Sequence, residues 1–89
     1  MNINYEKILE LYGSNMLNEI KDNLKDVINN MNYLSTIGII DIIDILERYP
    51  MIFLYDKETF IEKVNNLTSN IPNYIEELDK NISLWERLL

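Results

Sequence analysis

Apolar side chains recur every three or four positions along most of this chain. Leu17, Ile20, Leu24, Val27, Met31 and Leu34 step by 3, 4, 3, 4 and 3, which lays all six on one stripe of an α-helix. Ile71, Ile75, Leu78, Ile82, Trp85 and Leu89 step by 4, 3, 4, 3 and 4 and predict a second seam that runs almost to the last residue. Upstream, Tyr5, Ile8, Leu9 and Tyr12 continue a similar face as far as Gly13-Ser14. That pair predicts a short helix to Tyr12 and a new start capped by Ser14 or Asn15, with one long helix as the alternative.

The segment Ser35 to Tyr49 carries six isoleucines, and its polar side chains are concentrated at Asp41, Asp44, Glu47 and Arg48. Strict alternation fails and no partner strand is evident, so a helix is expected, with 41, 44 and 48 on a narrow wet stripe and the rest buried. Pro50 ends it. Asp56 is a good cap for a helix carrying Phe60, Ile61, Val64 and Leu67; Thr68-Ser69-Asn70 reads as a loop, and Pro72 sits in the first turn of the final helix. The predicted architecture is all-α: a compact bundle of four to five helices in one domain, residues 1–89. At 89 residues the core is modest and the stability margin thin unless packing is good or the chain associates.

ERYPMIFLYDKETF, residues 47–60, is the stretch closest to a signature. Read from Pro50, apolar or aromatic residues fall at Ile52, Phe53, Tyr55, Phe60, Val64 and Leu67, preceded by Gly38-Ile39, the Ile-rich helix and Arg48-Tyr49. Over residues 34–67 this resembles a single mitochondrial transcription termination factor (mTERF) repeat: a helix ending in arginine-aromatic-proline, a tight apolar turn and a second helix. The resemblance implies a helix–turn–helix shape and, as a functional alternative, a nucleic-acid-binding module. The matched positions serve packing in that family. Its basic nucleic-acid face has no counterpart here.

The absence of His and Cys removes the usual general base, the thiol nucleophile and the nitrogen and sulfur metal ligands. Two glycines do not make a phosphate loop. Ser14, Ser35, Ser69 and Ser83 have no base to activate them. The acidic pairs Asp22/Asp26, Asp41/Asp44 and Glu76/Asp79 have helical spacing suited to a hard cation, but they read first as solvated charge. No enzyme, cofactor or metal is expected.

Net charge is −7, from 15 acidic and 8 basic residues, spread evenly with no basic stripe. Phosphate neutralisation supplies most nucleic-acid affinity, so nucleic acid is an unfavoured partner. The N-terminal stretch lacks a signal-peptide pattern and no apolar run approaches a membrane span, so a cytoplasmic, membrane-free protein is expected. Six tyrosines and Trp85 exceed what a small core needs, and such side chains are favoured at interfaces. Tyr49, Tyr55, Tyr74, Trp85, Leu88 and Leu89 are the candidate partner-binding residues.

The expected function is a non-catalytic protein–protein interaction domain. It fits a small acidic regulator or inhibitor, of the antitoxin or phage-inhibitor kind, that binds a basic protein surface. A structural homodimer packed through the two seams is the remaining alternative.

Overall fold

A computed structural model describes residues 2–89, which form six α-helices and two 3-10 helices. The all-α expectation holds, with more and shorter helices than the four to five predicted. α1 is Tyr5–Tyr12, capped by Asn4, whose Oδ1 accepts the Lys7 N–H at 3.1 Å. The predicted break is real, but neither Ser14 nor Asn15 is the cap. Gly13, at φ 89°, takes that position ahead of α2, Ser14–Asp22.

The stripe from Leu17 to Leu34 does not lie on one uninterrupted helix. Asn23 turns its side-chain amide back to the Glu19 carbonyl at 2.9 Å and adopts φ −117°, so α3 starts afresh at Leu24 and runs to Thr36. Asparagine competes in this way with helical hydrogen bonding. The stripe survives the break: Ile20, Val27, Met31 and Leu34 are fully buried.

The predicted helix from Ser35 to Tyr49 is corrected most. Gly38 sits at φ 95° just past the end of α3. Its N–H bonds to the Ser35 carbonyl at 3.1 Å, and the Ile39 N–H reaches back to Leu34 at 3.0 Å. This pair of bonds is a Schellman motif, with buried Ile39 and Leu34 supplying its accompanying apolar contact. α4 therefore spans only Ile42–Arg48. Asp41, Asp44 and Arg48 are exposed as expected, but Ile40, predicted buried, lies outside the helix and is 80% exposed.

Pro50 then opens a 3-10 helix, Pro50–Leu54, that drives Ile52 and Phe53 into the core. Asp56 caps α5, Lys57–Ser69, by accepting the Thr59 N–H at 2.8 Å. Thr68 and Ser69 extend that helix, where a loop was expected. Pro72 precedes the final helical segment and does not enter its first turn. Asn73 adopts a left-handed conformation, φ 55°, ahead of α6, Tyr74–Lys80.

The second seam also divides. After α6 the chain breaks at Asn81 and finishes in a 3-10 helix, Ile82–Leu88. In that geometry residues three apart eclipse one another, so Trp85 and Leu88 share the inward face and are fully buried. The α-helical count had placed Leu89 there; it is 57% exposed.

The core is continuous from Ile8 to Leu88. At its centre the Phe53 and Phe60 rings lie 5.6 Å apart, and Tyr33 meets Phe60 edge-on at 6.5 Å. Among the described residues, Asn30 is the one buried polar side chain. Its amide donates to the carbonyls of Phe53 (3.0 Å) and Tyr55 (2.8 Å), tying the end of the Pro50–Leu54 turn to α3. The radius of gyration, 12.5 Å, is close to the roughly 12 Å expected of a compact chain this long. Among the described residues no helix is long and apolar enough to cross a membrane.

Candidate functional site

Four tyrosine hydroxyls are used inside the fold. Tyr12 donates to the carbonyls of Glu47 and Arg48, the latter at 2.9 Å; Tyr55 to Leu88 at 2.8 Å; and Tyr74 to Ile37 at 3.0 Å. Tyr33 donates to Asn65 Oδ1 at 2.7 Å. The three tyrosines that meet backbone do so at or beside helix C-termini, where carbonyls lack intrahelical donors. Many short helices make many such ends, and tyrosines from distant elements close them. Burial first and then the neighbouring Tyr49 raise the Tyr12 phenol above its ordinary range, partly offset by Arg48, with the Glu47 charge adding the smallest contribution.

The candidate partner residues are correspondingly reassigned. Trp85 and Leu88 are sealed in the core, so burial removes both from the accessible surface. Tyr55 and Tyr74 are half-buried with their hydroxyls committed to backbone. Tyr49 is half-buried. Leu89 is the one candidate of the six that is substantially exposed, and it does not gather the others around it.

The feature that does gather exposed groups is a half-open groove of about 720 Å³ between α4, α6 and the terminal 3-10 helix. Buried Ile39, Ile45, Leu78 and Trp85 form its base. Ile40 on one lip and Ile75, 41% exposed, on the other remain open to solvent. Of the six sequence candidates, only Tyr74 and Trp85 line it.

Its polar edge is dominated by carboxylates: Asp41, Asp44, Glu76 and Asp79, against Arg48 and Lys80. Lys80 is already paired with Glu76 at 3.3 Å. Asp41 occupies the N-cap position of α4, yet its side chain caps no backbone amide. It lines the groove together with Asp79 of α6. Hydrogen bonding to the Asp79 carboxyl, then the Asp79 charge, and then smaller contributions from desolvation and Asp44 raise the Asp41 acid above its ordinary range.

The groove brings the sequence pairs Asp41/Asp44 and Glu76/Asp79 onto one surface, which spacing could not reveal. A usable signal did exist. Each acidic pair follows an isoleucine, in Ile40-Asp41 and Ile75-Glu76, and both of those isoleucines lie on the groove. Among the described residues no three carboxylates converge as a metal site. The arrangement suits an apolar contact flanked by cations.

No family model matches the chain, and no curated protein or solved structure matches it at a significant level.

Proposed function

We propose that this chain is a non-catalytic binding domain that docks a basic partner protein in the groove between α4 and α6. The observation that carries the reading is the gathering of Asp41, Asp44 and Asp79 on one groove beside the exposed isoleucines 40 and 75. Like charges gathered at a wet surface oppose folding at neutral pH, and a local conflict of this kind is characteristic of a site shaped for something else. A cation relieves it. Apolar lips then supply the binding free energy, while the acidic edge selects and steers the partner.

A surface of this sign repels phosphates, which weighs against the nucleic-acid alternative. It also repels a second copy of a chain whose net charge is −7.

The test compares affinity capture by the native protein with capture by Ile40→Asp and by Asp44→Lys, at low and high salt. Both positions are exposed, so neither substitution removes a core side chain, and circular dichroism of both variants checks that they fold. The expected result is a basic protein retained by the native chain at low salt and lost from both variants. An identical retained set for all three proteins overturns the proposal.

A further inference from the structure

The walls of the groove restrict the conformation of whatever docks there. α4 and α6 are helices, and most of their backbone N–H and C=O groups are spent internally. The polar groups left on the lining belong chiefly to side chains, and four of these are carboxylates against two cations. An extended segment laid over Ile40 and Ile75 brings its own amides and carbonyls onto an apolar base that offers no ladder to pair them. A helix satisfies its backbone internally and presents only side chains.

The edge charges set the composition of that helix. Lys80 is paired with Glu76, so Asp41, Asp44 and Asp79 face the groove with only Arg48 to offset them. Asp41 and Asp79 come from opposite walls and both line the groove, which defines one position where a single basic side chain is held from both sides.

Building on the docking function above, we infer that the occupant is an amphipathic basic α-helix of a partner protein. Its apolar side chains lie between Ile40 and Ile75, and one lysine or arginine is held between Asp41 and Asp79.

Three synthetic peptides of about 14 residues, roughly four helical turns, test this by calorimetry and by chemical-shift mapping on the intact chain. All carry equal numbers of leucine and lysine. In the first the leucines follow 3–4 spacing; in the second they alternate strictly; the third is the first with a central proline. The expected result is binding of the first peptide, with shifts centred on Ile40, Asp41, Ile75 and Asp79, and binding of the other two weaker by at least about tenfold. Replacing Asp41→Asn and Asp79→Asn together should weaken the first peptide by about tenfold, while Asp22→Asn with Asp26→Asn, away from the groove, leaves it unchanged. Equal binding of all three peptides at the groove overturns the helical occupant and leaves the docking function standing. No binding of any peptide at low salt, or equal sensitivity to the Asp22/Asp26 pair, overturns both.

Discussion

The Tyr55 hydroxyl donates to the Leu88 carbonyl at 2.8 Å, joining the exit of the Pro50–Leu54 turn to the end of the terminal 3-10 helix. The Lys63 ammonium lies 4.9 Å from the centre of the same ring, so one side chain ties α5, the turn and the C-terminal segment together. Tyr55→Phe keeps the ring and removes the bond. The expected loss is about 1 kcal/mol, measured by urea denaturation with an unchanged slope.

Asn30 holds the other side of that turn. Asn30→Leu leaves the carbonyls of Phe53 and Tyr55 without their buried donor and should cost about 2–3 kcal/mol. Asn30→Asp should be worse at neutral pH, because a buried carboxylate would face two carbonyl oxygens. The folded state then favours the protonated acid, so this variant should regain stability as pH falls. Thermal unfolding of both variants at neutral and acid pH checks the difference.

Gly38 has two reasons to be glycine. Its φ of 95° strains any L-residue, and an added Cβ would lie 2.6 Å from Ile75 Cδ1. The Ile75 methyl can move, so the backbone decides most of the effect. Gly38→Ala should cost about 1–2 kcal/mol by chemical denaturation. Gly13, at φ 89° with open space around it, should show the backbone component alone.

The register of the C-terminal segment separates two neighbouring leucines. Leu88→Ala should lose about 2–5 kcal/mol, the range for a large core side chain, while Leu89→Ala should stay within about 0.5 kcal/mol of the parent. A continuous α-helix to the end would reverse the order. Paired denaturation curves decide it.

Two exposed aspartates should act in opposite directions with pH. Asp41 is raised by hydrogen bonding to Asp79, so its favourable contribution is present in acid and is lost as pH rises through the ordinary carboxylate range and the raised folded value. The Asn amide keeps the donor that the protonated acid supplies and carries no charge, so Asp41→Asn should raise Tm at neutral pH and leave it nearly unchanged in strong acid. Asp56 is lowered by its bonds from Thr59; its contribution is present above the ordinary range and disappears as pH falls through the lowered folded value. Asp56→Ala should lower Tm at neutral pH and have little effect in strong acid. Scanning calorimetry across that range reads both signs.

Helical periodicity was enough to identify the fold class and most of the core. Ile20, Val27, Met31, Leu34, Phe60, Val64 and Leu67 are inside as their spacing implied, because packing selects one face whether or not the helix is continuous. The breaks were harder to see. Gly38 carried a legible C-terminal signal, and the isoleucines around it masked that signal by extending an apolar run across a turn. At Asn23 the stop is a competition between side chain and backbone, while the Asn81 side chain accepts a bond from the Ser83 hydroxyl instead; composition alone settles neither. The 3-10 ending was invisible, since steps of three occur in both helix types until the last residue separates them. The groove was hidden for another reason. Asp41 and Asp79 are 38 positions apart and come to one groove only once α4 and α6 have packed. The tyrosines were visible as an excess, but their use as clamps on helix ends depends on where those ends fall.

The chain holds one indole, Trp85, and the fold seals it directly beneath the groove. It is therefore a native fluorophore whose emission reports from the base of the docking surface with no label attached. A ligand settling between the two exposed isoleucines alters the dielectric above that ring without uncovering it, whereas unfolding floods it with solvent. Occupancy and denaturation thus carry different spectral signatures from the same side chain.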